Sequence, residues 1–200
     1  MDNTNKPICP IRFLDKYADI EITKGNLPHW SQNAATYFVT FRTADSIPQV
    51  KLKKWINQRN QWLARHPLPL TQVETREFHR LFTTQLERWL DNQYGECLLS
   101  NPLLKNIVKN SLEYFNNCRY SLDTFVVMPN HVHAIVTPHD NHKLRDIVSS
   151  WKSFTANKIN RVTHRNGHFW QKESFDHIIR NENQLERIRD YIKRHSAFEK

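Results

Sequence analysis

Glycine is scarce in this chain: Gly25, Gly95 and Gly167 are the only three in 200 residues, and they stand far apart. Isolated glycines cannot form a P-loop or a dinucleotide-binding turn, so a nucleotide cofactor and ATP-driven chemistry of those types are not expected. Cysteine is equally sparse. Cys9, Cys97 and Cys118 are odd in number and form no CxxC pair, which argues against both a disulfide framework and a cysteine zinc site and favours a reducing compartment. No apolar run approaches the roughly 20 residues of a membrane span. The first twenty residues also lack a basic segment leading into an apolar one. These absences lead us to expect a soluble, cytoplasmic protein with no membrane partner.

Aromatic residues and positive charge are plentiful. Six Trp, six Tyr and eleven Phe can supply a core despite a mean hydropathy of −0.73. At 24.0 kDa, residues 1–200 suit a single domain. Lys and Arg number 29 against 20 Asp and Glu, giving a formal charge of +9 and a pI near 9.6, a balance suited to a phosphate-rich partner. Residues 151–200 carry eleven basic and six acidic side chains, about half of the surplus.

Periodicity orders the chain. Residues 1–35, with Pro7, Pro10 and Pro28, read as an irregular lead-in. "TYFVTFRT" (36–43) alternates as a strand. Residues 46–104 hold two helical patterns, 50–66 and 71–93, and read as an insertion; the stripe Phe78, Leu81, Phe82, Leu86, Trp89 and Leu90 indicates packing rather than chemistry. A helix over 101–117 begins with Asn101 and Pro102 as cap and first-turn residue. Two strands, 119–129 and 131–138, are joined through a tight Pro129-Asn130 turn. A helix over 143–162, a turn and strand over 168–179, and a helix from the cap Asn181 complete the chain. The expected fold class is α+β: a ferredoxin-like split βαβ core with an antiparallel sheet, a helical insertion after the first strand and a C-terminal tyrosine-bearing helix.

"VVMPNHVHAIVTP" (126–138) interrupts apolar strand with two histidines. Strand side chains alternate, so His131 and His133 project from one face with Cα atoms about 6.8 Å apart, close enough to converge on one ion. Two hydrogen-bonded strand histidines are the alternative. On the last helix Tyr191 and His195 are four residues apart and share a side, beside the packing stripe Leu185, Ile188 and Ile192. His195 could join the ligand set with the Tyr191 hydroxyl next to it; a helix-terminal histidine favoured by the macrodipole is the other reading.

The blocks "LPHWSQNAATYFVTFR", "FVVMPNHVHAIV", "SWKSFTANKIN" and "HFWQKESFDHIIRNENQLERIRDYI", in this order from about residue 27 to 192, resemble the REP-associated tyrosine transposases, an IS200-like branch of the HUH single-strand transposases. The resemblance implies His131 and His133 as metal ligands and Tyr191 as a nucleophile that cleaves single-stranded DNA beside a palindromic repeat hairpin and keeps the 5′ phosphate. It implies a divalent cofactor, magnesium or manganese. Relatives carry Asn-Pro where this chain has His195-Ser196, the Asn being the usual third ligand. With His195 in that role, manganese or zinc is favoured over magnesium. A non-cleaving hairpin-binding protein and a metal-dependent nuclease using water are the alternative functions. Lys143, Arg145, Lys152, Lys158, Arg161 and Arg165, on or just beyond the 143–162 helix, are candidate DNA contacts, with Lys152 foremost because it lies in a block of the resemblance. Solvated helix charges are the plain alternative. Trp170 is a candidate base-stacking residue or a core residue. A monomer is expected, with a homodimer that exchanges the tyrosine helix as the other arrangement.

Overall fold

The computed structural model describes residues 10–15, 17–24, 28–67 and 70–197. Pro7, Cys9 and Gly25 lie outside them. Two short strands come first, β1 (Glu21–Lys24) and β2 (Pro28–Ser31), paired antiparallel with Glu21 opposite Ser31. The expected irregular lead-in therefore contains a hairpin. Its proline signal misleads because Pro28 is the first residue of β2, where a missing N–H is tolerated.

The central sheet is built from β3 (Tyr37–Arg42), β4 (Tyr120–Val127), β5 (His131–Pro138) and β6 (Phe175–Ile178) in the order β4-β5-β3-β6, with every neighbour antiparallel. With α4 (Pro102–Tyr114) between β3 and β4, and α5 (Leu144–Thr163) between β5 and β6, this is the ferredoxin-like order. The expected caps form: the Leu103 N–H donates to Asn101 Oδ1 (2.9 Å), and the Gln184 N–H to Asn181 Oδ1 (2.9 Å).

Alternation along β3 divides the core. Tyr37, Val39 and Phe41 pack with Leu104, Ile107, Val108 and Leu112 of α4 and with Ile147, Val148, Trp151 and Ile159 of α5. Phe38 faces the other way and packs with Val126 and Ile135 beneath Leu185 and Ile192 of α6 (Glu182–Ala197). Each such buried aliphatic stabilises by about 1.5–3 kcal/mol, enough to hold a single helix on that face. A β-bulge between Leu122 and Phe125 brings Asp123 out of register, and Arg189 of α6 donates to its carboxylate (Nε–Oδ1 3.0 Å). The bulge thus sets where α6 docks.

The insertion forms α1 (Gln49–Arg65), α2 (Gln72–Phe78) and α3 (Thr84–Asp91), with a π-helical stretch over His79–Thr83 running α2 into α3. Its stripe buries Phe82, Leu86 and Leu90 against Ile47, Leu52 and Trp55, a small core of its own. Among the described residues no helix is long and apolar enough to cross a membrane.

Candidate active site

His131 and His133 lie on the α6 face of the sheet, each fully buried. Cross-strand pairing puts Thr40 beside His133 and Arg42 beside His131. Each imidazole is held at Nδ1: His131 by Asn130 Oδ1 (2.8 Å) and His133 by Thr40 Oγ1 (2.7 Å). Asn130 is itself oriented, because its Nδ2 donates to the Tyr94 carbonyl (3.0 Å) in the loop after α3. An amide oxygen only accepts, so His131 carries its proton on Nδ1 and its Nε2 is a lone pair. That Nε2 lies 3.0 Å from Nε2 of His133. Burial lowers the pKa of His131 to about 3, and burial followed by the charges of His131 and His195 takes His133 well below 6.5. Both rings are neutral at physiological pH, the state in which imidazole binds a cation.

Helix α6 supplies the next group. The Tyr191 hydroxyl is 3.3 Å from His133 Nε2, and its ring meets Phe38 and His133 edge-on. Burial, then the carboxyls of Glu87 and Asp91, push its pKa well above 10. Those carboxyls come from α3, in the stretch whose pattern indicated packing alone. Glu87 is itself raised to about 7 by burial and by Asp91. Two acidic residues four apart, with no basic partner at that spacing, were the available signal.

His195 belongs to the same cluster but turns its nitrogens elsewhere. Nδ1 bonds the Tyr191 carbonyl (2.8 Å) and Nε2 bonds Asp91 Oδ1 (3.1 Å). Both partners are acceptors, so in this geometry the two nitrogens of His195 face the Tyr191 carbonyl and Asp91 rather than the His131–His133 pair. Its pKa is raised above 6.5, first by the Asp91 bond. A group whose folded pKa is raised stabilises fully below its unfolded value and loses that contribution as pH rises through the folded one. The Asp91–His195 link therefore contributes below pH 6.5 and fades above it. In Asp91→Asn the His195 midpoint, followed by NMR of the ring protons, is expected to fall toward the ordinary histidine value, with less than about 1 kcal/mol lost at pH 6. Among the described residues no group of three or more His, Cys, Asp or Glu is arranged to hold a metal ion.

With this geometry in hand, comparison with known proteins is informative. The family model for IS200-like transposases matches residues 90–195, more than half of the chain. The chain belongs to the IS200-like transposase family. No curated protein matches this transposase. Among solved structures it is similar to a REP-associated tyrosine transposase bound to a REP hairpin, at 13% identity and a TM-score of 0.45, over 82% of this chain and 67% of that one. It is also similar to a candidate transposase from Deinococcus radiodurans R1, at 17% identity and a TM-score of 0.37, over 80% and 89% respectively.

The transposase's basic candidates divide. Lys143, Arg145 and Lys152 line a groove of about 1040 Å³ between α5 and residues 167–176. Lys152 donates to the Lys172 carbonyl (2.7 Å), and burial lowers its pKa to about 8. Arg165 instead pairs with Glu96 (Nη2–Oε1 2.9 Å), and Lys158 lies over the Phe154 ring. Arg161 is exposed on α5. Trp170 is only 5% exposed, donates to Thr155 Oγ1 (2.8 Å) and packs edge-on against Phe41, so of its two expected roles the core one matches its setting.

Proposed function

We propose that this family member is a divalent-metal-dependent single-strand DNA endonuclease and strand transferase, with Tyr191 as the nucleophile. The observation that carries the reading is the 3.3 Å approach of the Tyr191 hydroxyl to His133, whose Nε2 lies 3.0 Å from that of His131. The donor chemistry fits a cation. A separation of 3.0 Å between the two Nε2 atoms suits a shared proton and is close enough for both to face one cation. His131 and His133 would hold the ion through Nε2, with His133 then donating from Nδ1 to Thr40. With only these two imidazole donors from the chain, magnesium or manganese would be the ion, bringing further oxygen ligands with the phosphate or water. His195 bonds Asp91 in this geometry, so the preference for manganese or zinc over magnesium that a third imidazole would bring draws no support from it.

A bound cation would offset the charge that develops on the phosphate oxygens. The chain's own residues orient the phenol. Phe38 and His133 wall its ring, and α6 is fixed through Asp123 and Arg189. In the reaction the Tyr191 oxygen bonds to phosphorus, the P–O3′ bond breaks, and the proton lost by the phenol balances the one gained by the 3′ oxygen. The products are a 5′-phosphotyrosine and a free 3′ hydroxyl, and the retained ester allows rejoining without ATP. The substrate is single-stranded DNA beside a palindromic hairpin, a reading that rests on the family and on the groove along α5 that Lys143, Arg145 and Lys152 line.

The test is a denaturing gel of labelled hairpin DNA incubated with the protein and manganese. A covalent protein–DNA band is expected, lost in Tyr191→Phe and with chelator. Cleavage that survives Tyr191→Phe would instead indicate attack by water. Binding with no cleavage by the wild-type chain would indicate a hairpin-binding protein.

A further inference from the structure

We propose that single-stranded DNA reaches Tyr191 along one continuous path: the groove beside α5, the β6 edge of the sheet at Trp30 and Asp176, then a trench between the insertion and α6. This rests on the reading of Tyr191 as the nucleophile and adds the route of its substrate and a role for the insertion. Two concave surfaces define the path. One is the α5 groove, about 1040 Å³. The other, about 650 Å³, lies between α2–α3 and β6–α6, with Glu87 and Tyr191 among its lining residues. Trp30 and Asp176 line both. They open on opposite faces of the sheet, since Tyr37 lines the first and Phe38 the second, and these neighbours on β3 point to opposite sides. Among the described residues the edge between them is made by β6, four residues long, and by β2, which packs beside it and carries Trp30. A chain rounding this edge passes across Trp30 of β2 beside β6 before meeting the second surface.

The chemistry of the trench suits an unpaired polynucleotide. Phe78 and Phe175 are half-buried in its lining, and Arg76, Arg180 and Arg187 stand exposed on its walls. Stacking on aromatics beside cations binds single strands with little regard to sequence. The crossing itself has a distinct character. Asp176 would repel a phosphate there, so the crossing is made by a base against Trp30, with phosphates on either side. Acidic groups also punctuate the α5 groove: Glu21 pairs with Lys143 (3.6 Å), and Asp146 and Glu173 line it. Phosphates must displace these partners, which makes occupancy of this stretch strongly salt-dependent.

The test is photo-cross-linking of the full chain to single-stranded oligonucleotides carrying 4-thiothymidine at successive distances from the scissile phosphate, with adducts mapped by peptide mass spectrometry. Near positions are expected on the segments bearing Phe78 and Phe175, intermediate ones at Trp30, and far ones beside Lys152. Trp30→Ala is expected to weaken binding of oligonucleotides long enough to round the edge about ten-fold, with little effect on those confined to the trench. Far positions that cross-link to the outer face of α6, or no cross-link within the trench, would overturn the path. The two readings fail separately. A tyrosine adduct formed while cross-links avoid the trench rejects only the path, whereas cross-links along it with no adduct retain the path and reject the nucleophile.

Discussion

His133→Ala is expected to abolish cation binding and strand cleavage together while leaving hairpin DNA binding within a few-fold. His133 touches everything the proposed chemistry needs: Thr40 at Nδ1, and His131 and Tyr191 at Nε2. Removing it leaves one imidazole donor and withdraws the ring against which the phenol packs. Manganese affinity measured by calorimetry should fall at least about 100-fold, since even a disturbed partner of a ligand costs 10–100-fold. Adduct yield should fall about a thousand-fold or more. Thr40→Val, which removes only the group holding Nδ1, should show the smaller affinity loss. Unchanged manganese binding in His133→Ala would move the ion away from this pair.

The second large effect concerns the opposite face. Trp151 is 2% exposed, donates from Nε1 to the Tyr120 hydroxyl (2.9 Å) and meets the Tyr120 ring edge-on. That hydroxyl in turn donates to the Leu112 carbonyl (2.6 Å), so one indole ties α5, β4 and α4 together. Trp151→Ala is expected to cost about 3–5 kcal/mol through cavity formation, with the lost hydrogen bond included. For a chain of this size that lowers Tm by about 10 °C. Trp151→Phe should recover much of the packing but not the bond. Urea or thermal melts decide it: a loss under about 1 kcal/mol would mean the three elements are held by other contacts.

What the sequence revealed and what it hid follow from the range of the interactions. The two-residue alternation of 131–138 placed both histidines on one face, and the four-residue spacing of Tyr191 and His195 placed them on one side of a helix. Both are local consequences of backbone geometry. The sheet order followed from the same periodicities read along the chain. The partner of His195 could not be read this way. Asp91 lies 104 residues distant, and only packing of α3 beside α6 makes their meeting visible. Trp170 illustrates the same difficulty in reverse: an aromatic in a basic stretch suits DNA and core alike, and its bond to Thr155 becomes evident only in three dimensions. The stripe on α3 correctly indicated burial, yet Glu87 and Asp91 beside it reach the tyrosine site.

The contact between Tyr94 and Asn130 has a wider consequence. The backbone oxygen after α3 chooses which end of an amide faces the first imidazole, and so decides on which nitrogen that ring keeps its hydrogen. Excising the helical excursion would free the amide to rotate, scrambling the tautomers on which the proposed metal capture depends. The appendage is a latch on the protons of the proposed site, and its tolerance to shortening ends at that carbonyl.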